Sequence, residues 1–181
     1  MTAAQLRNLV VVALKVANTD AADRVYSPRD WPTRSEDYPV LLVQTPFEEK
    51  QSLGRNAPQF NTVTTVRVTA RIEAFDSDND SGAELAELAV EDIRDQVERA
   101  LINSYELTLV IQQYRHIRST IEVSANGDGH IGQLVYEIDL EYYQGPEDFY
   151  PVVGVELQGI DLTIVEPDGT TQPGFSADLP Q

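Results

Sequence analysis

NTVTTVRVTARIEAFDSDNDSGAELAELAVEDIRDQVERALINS, residues 61–104, holds the two periodicities that decide the fold. From Val66 the apolar residues fall on every second position (Val66, Val68, Ala70, Ile72, Ala74), with Arg67, Thr69, Arg71 and Glu73 between them. Successive strand side chains point to opposite faces, so this spacing predicts a strand with one face on a core and the other turned to water or a partner. After an acidic turn, Leu85, Leu88, Ala89, Ile93, Val97, Ala100 and Leu101 recur at helical spacing. They predict a long amphipathic helix, with Ser81 placed to cap it. A long strand with a charged outward face and no catalytic equipment nearby points to assembly.

Upstream, Leu6, Leu9, Val10, Ala13, Val16 and Ala17 share one helical face and predict a helix from Thr2 to Ala17. Lys15 interrupts the apolar run and no small-residue cleavage site follows, so this segment reads as an amphipathic helix and not as a targeting segment. Pro28 and Pro32 deny regular structure to the aromatic connector that starts at Val25. A strand is expected at Val40–Thr45, between Pro39 and Pro46, and a polar loop from Glu48 to Gln59.

Downstream, Leu107, Leu109 and Ile111 alternate briefly. Ile117, Ser119, Ile121 and Val123 alternate against Arg118, Thr120 and Glu122. The turn Asn126-Gly127-Asp128-Gly129 should return the chain into Gly132–Tyr143, where Leu134, Tyr136, Ile138, Leu140 and Tyr142 oppose Glu137, Asp139 and Glu141. Val153, Val155 and Leu157, then Ile160, Leu162 and Ile164, suggest one extended segment bent near Gly159, and from Pro167 the composition reads as a flexible end. The expected class is α+β: a mostly antiparallel sheet with two long helices packed on one face, plus an extended C-terminal strand or tail. Residues 1–150 form one domain in this reading and 151–181 an acidic extension.

Charge is unevenly spread. All 13 basic residues lie at or before Arg118 with 18 acids, giving −5; the remainder has 12 acids and no Lys or Arg, giving −12, for a total of −17. That excludes a basic nucleic-acid face in the C-terminal half. It allows either a solvated acidic surface or complementarity, in which acids of one subunit meet basic patches of the next. The absence of cysteine excludes disulfides, thiol nucleophiles and cysteine-based metal sites. No apolar run approaches the ~20 residues that cross a bilayer, which argues against a membrane partner.

Few residues suggest chemistry. Asp76, Asp78 and Asp80, with Glu87 later, approach a calcium-loop spacing, but Ser81 stands where the tight turn wants glycine and a strand precedes the loop. A helix start with acids favoured by the dipole is the simpler reading, and a small calcium-dependent binding module is the alternative from another class. His116 and His130 have no motif around them, and His130 reads as a solvated loop residue. There is no nucleophile elbow, Walker sequence or dinucleotide fingerprint, so neither an enzyme nor a cofactor is expected. Arg24, Arg29 and Arg34 interleave with Tyr26, Trp31 and Tyr38, residue types that favour protein interfaces. The nearby acids Asp20, Asp23, Asp30, Glu36 and Asp37 argue against nucleic acid there.

The N-terminal helix with its Arg24-Val25-Tyr26 connector, then Tyr38-Pro39-Val40-Leu41-Leu42-Val43, the Arg67–Phe75 strand and the Ala83–Leu101 helix resemble the tail terminator proteins of long-tailed bacteriophages, the group that includes the minor tail protein U family. The resemblance spans roughly Leu6 to Tyr143; residues 152–181 depart from a minimal terminator. It implies a non-enzymatic virion protein of the tail or neck, assembled in the host cytoplasm. Such a protein forms a homo-oligomeric ring, a hexamer in that family, that caps the tail tube, stops its polymerisation and meets the head–tail connector protein. DNA would pass through the lumen without specific binding. On this reading Arg24, Tyr26, Arg29, Trp31, Arg67 and Arg71 are the candidate contacts with neighbouring subunits or the tube. Another neck or connector protein, or a tail-tube protein, is the alternative within the same setting.

Overall fold

In the computed structural model, which describes residues 1–30, 35–55, 58–75, 81–126, 129–151 and 159–178, the alternating stretch is the centre of a five-stranded sheet. Two compact units are present, Met1–Phe149 and Tyr150–Gln181.

The first unit runs α1 (Ala3–Val16), β1 (Val25–Tyr26), β2 (Val40–Ser52), β3 (Phe60–Phe75), α2 (Gly82–Ile102), α3 (Tyr105–Val110), β4 (Gln113–Asn126) and β5 (Gly129–Gln144). The strand order is β1-β2-β3-β5-β4, antiparallel throughout except for the parallel β1–β2 pair. The protein is α+β, with two long helices on one face of a mostly antiparallel sheet.

Alternation explains the layering. Val66, Val68, Ala70 and Ile72 of β3 and Leu134, Tyr136, Ile138, Leu140 and Tyr142 of β5 are buried in one cluster with residues of α1 and α2. Each fully buried aliphatic side chain contributes on the order of 1.5–3 kcal/mol, so this layer dominates the stability. α2 lies across β3, β4 and β5, while α1 covers β1 and β2 and touches α2. Gly132 permits the close approach of α2. A Cβ there would collide with Val90 Cγ2 and stand 2.9 Å from the Ala86 carbonyl oxygen. At the start of α1, Thr2 Oγ1 accepts from the Gln5 amide (3.3 Å) and Gln5 Oε1 accepts from the Thr2 amide (2.8 Å), a reciprocal cap.

Several expectations need correction. Strand β2 does not stop at Pro46: it continues to Ser52, with a register shift between Gln44 and Phe47. A bulge accommodates a residue with no N–H to donate, and β1 pairs only with Leu41 and Leu42, so the rest of β2 is an edge on which polar residues are at home. The connector is not wholly irregular, because Val25 and Tyr26 form β1. Residues 105–110 are helical, not extended, with the Ser104 hydroxyl accepting from the Leu107 amide at 3.3 Å.

Both long helices bury only part of the expected stripe: Leu6, Val10 and Ala13 on α1 and Ile93, Val97 and Leu101 on α2 are in the core, with Leu9, Ala89 and Ala100 packed against it. On α1 the buried set is Leu6, Val10, Ala13 and Leu14, leaving Val16 exposed; on α2 it is Gly82, Ala86, Val90, Ile93, Val97 and Leu101, leaving Leu85 and Leu88 exposed. Ser81 occupies the α2 N-cap position but makes no side-chain cap hydrogen bond. His130 is a strand residue of β5, half-buried and paired with Ala74 and Ala125.

The second unit holds β6 (Gly159–Val165) and β7 (Thr171–Asp178), an antiparallel two-stranded sheet, so the stretch after Pro167 is a paired strand instead of a flexible end. Residues 153–157, expected to be extended, lie outside the described residues.

Candidate interface on the helix-free sheet face

The sheet surface opposite the helices is built from the residues between the core positions. Arg67 of β3 pairs in register with Glu137 of β5, which pairs with Arg118 of β4. Arg67 Nε donates to Glu137 Oε1 at 2.8 Å, and Arg118 Nε donates to Glu137 Oε2 at 2.7 Å. One step along, Arg118 Nη1 donates to Asp139 Oδ2 at 3.1 Å, Thr65 Oγ1 donates to Asp139 Oδ1 at 2.5 Å, and His116 Nδ1 stands 3.5 Å from the same carboxylate. Arg115 Nη1 lies 4.0 Å from Glu141, which also accepts from Gln113 Nε2 at 2.9 Å.

Asp139 is buried and Glu137 half-buried. The Arg118 hydrogen bond, outweighing burial and joined by Arg67, holds the Glu137 carboxyl below the usual range. Three guanidiniums therefore interlock with three carboxylates (Arg67, Arg115 and Arg118 with Glu137, Asp139 and Glu141), and this cluster is neutral in a chain of net charge −17.

The residues singled out from sequence fall as follows. Arg67 is engaged by Glu137, and Arg71 Nε donates to Gln133 Oε1 at 2.9 Å. Tyr26 pairs with Leu42, and Leu42 with Thr69, so its register places it on the same sheet face two strands from β3. The Arg29 guanidinium stacks over the Tyr26 ring, 4.3 Å from its centroid. Arg24 serves the local fold: Nε donates to the Pro39 carbonyl at 2.8 Å and Nη2 to the Asp20 carbonyl at 3.2 Å. Trp31, Arg34 and the acidic run 76–80 lie outside the described residues. Sequence reasoning did not single out Glu137, Asp139 or Arg118 as site residues. Their outward parity was legible, but the register joining positions 70 and 19 residues apart was not.

A second polar cluster lies where the inner face runs beyond the core. Glu48 and Lys50 pair with Thr64 and Thr62. Lys50 Nζ reaches Glu48 Oε1 at 2.8 Å and also the side-chain Oε1 of Gln144, to which Thr62 Oγ1 donates at 2.8 Å. Tyr142 donates to Glu48 Oε2 at 3.2 Å. Burial pushes the Tyr142 hydroxyl up to about 12. Burial also opposes ionisation of Glu48, but the hydrogen bond and charge of Lys50, with Tyr142 and Thr64, hold its carboxyl below the ordinary value.

Among the described residues, no group of three or more His, Asp or Glu is placed to hold a metal ion, and no helix is long and apolar enough to cross a membrane. Neither a scan of the chain against protein-family models nor a search of curated proteins returns a match.

Proposed function

We propose that the chain is a structural virion protein of the tail-terminator kind, a ring former that caps a tail tube, stops its growth and meets the head–tail connector. The observation that carries this reading is the charge-matched ladder on the helix-free sheet face, with the Arg29–Tyr26 stack on the same side. A copy of so acidic a chain meets least repulsion where the charges are already balanced. The acidic remainder of the surface would keep duplex DNA in a lumen from sticking. Six copies would gather 6 × −17 = −102 formal charges, so ring formation should strengthen with salt and divalent cations. Native mass spectrometry across a salt series tests this. Closed rings of one size, growing in share with ionic strength, are expected, together with arrest of tube growth when the protein is added to polymerising tube protein. Long tubes from the protein alone would make it a tube protein, and monomers at every salt concentration would overturn the ring.

A further inference from the structure

The two edges of the five-stranded sheet are built differently. Beyond Leu42 the edge of β2 is blunted: Pro46 interrupts its row of N–H groups, the register shifts between Gln44 and Phe47, and Lys50 follows. Proline, lysine and bulges are the devices that keep an edge strand from pairing with another chain. At the opposite edge, β4 pairs only with β5 among the described residues. It is 14 residues long, holds no Pro or Lys, and keeps one unbroken register from His116 to Asn126. Every second residue of such a strand turns its N–H and C=O away from its one neighbour.

Helix α2 leaves this edge within reach. Ile117 pairs with the buried Ile138 and so belongs to the helix side, yet it is 41% exposed. Every residue from Arg115 through Thr120 is exposed. Residues 117–123 include the β-branched Ile117, Thr120, Ile121 and Val123, which suit a sheet, and their only charges are Arg118 and Glu122.

We infer that β4 pairs antiparallel with β4 of a second copy about a two-fold axis at Thr120. Parity restricts the choice: the axis passes through a residue, because a one-residue slip would set helix-side against outer-face side chains. Centred on Thr120, the pairing puts Ile117 opposite Val123 and Ser119 opposite Ile121 on the helix side. On the outer face Thr120 meets its own copy and Arg118 lies opposite Glu122. Of the two-fold registers of this strand, only this one sets its opposite charges face to face, and it brings no like charges together. Arg118 already binds Glu137 and Asp139 within its own chain. Affinity therefore comes from the backbone ladder and the covered apolar side chains, and Glu122 serves the register. The product is one continuous sheet with the helices of both copies on the same side. Such a joint is isologous and closes at two copies. It stands apart from the ring reading and leaves the helix-free face open.

The chain has no cysteine, so single-cysteine variants of the full-length protein report the register. With a short bifunctional thiol reagent, Thr120→Cys should give a covalent dimer, because Cβ atoms directly opposite stand about 5 Å apart. Ser124→Cys should not: it lies four residues from the axis on each strand, so its two copies are about 27 Å apart. Glu122→Lys alters an exposed position and sets Lys opposite Arg118. It should weaken dimerisation at least tenfold in sedimentation equilibrium, with an unchanged thermal midpoint. Equal cross-linking at 120 and 124, none at 120, or an undiminished Glu122→Lys dimer would overturn the edge joint. Rings without the cross-link at 120 would leave the ring reading standing alone, and cross-linked dimers that never form rings would remove the ring and keep the joint.

Discussion

The inner and outer faces of the sheet come from the same strands, yet they are held by different forces. On β5, Leu134, Tyr136, Ile138 and Leu140 are fully buried, whereas the intervening Gln133, Glu137 and Asp139 engage Arg71, Arg67, Arg118 and Thr65. Area removed from water stabilises the inner face without regard to direction. The outer face depends on geometry and on protonation state, and exposed ion pairs contribute only about 0–1 kcal/mol each.

The contrast breaks most severely at Leu134. Leu134→Ala opens a cavity under the helices and should cost about 3 kcal/mol, read as a lower urea midpoint with an unchanged slope. Glu137→Gln strips the charge that two guanidiniums share and should cost about 1.5 kcal/mol at pH 7.

Its pH dependence sharpens the comparison. Because the folded carboxyl sits below its ordinary 4.5, its contribution is complete above that value and fades as pH falls through the lowered one. The gap between wild type and Glu137→Gln should therefore narrow on acidification from pH 6 to pH 3. A gap that stays constant would mean that shape and not charge links the strands.

The smallest change tests a polar atom buried within the apolar layer. The Tyr136 hydroxyl is buried with no hydrogen-bond partner, and burial raises its pKa. Tyr136→Phe should be neutral or stabilise by up to about 1 kcal/mol in the same urea titration, and a clear loss would reveal a partner for that hydroxyl.

Legibility in the sequence follows the same divide. Val66–Ala74 and Leu134–Tyr142 announce the inner face because burial imposes a strict alternation on a single strand. Edges carry no such constraint, so the second half of β2, with Phe47, Glu49 and Gln51 exposed to water, reads as loop. Leu85, Leu88 and Val16 widen the expected helix stripes because they are apolar residues outside the core stripe. Leu107 and Leu109 alternate by accident within a single helical segment that Ser104 starts, and Ile111 is its extended C-cap. The charge ladder was legible as parity but not as partnership, since partnership depends on how three strands align.

The bulge at Pro46 acts on the pleat as a frameshift acts on a codon. With the two strands in unbroken step, Glu48 would lie opposite Val63 and face outward; the extra residue brings it opposite Thr64 and turns Lys50 inward with it. Every side chain of β2 after that point is thus read in the second frame. Glu48, Lys50, Thr62, Tyr142 and Gln144 are a single message that only that frame spells. A proline that looks like the end of a strand is the punctuation that lets one strand serve an apolar layer along its first half and a polar one along its second.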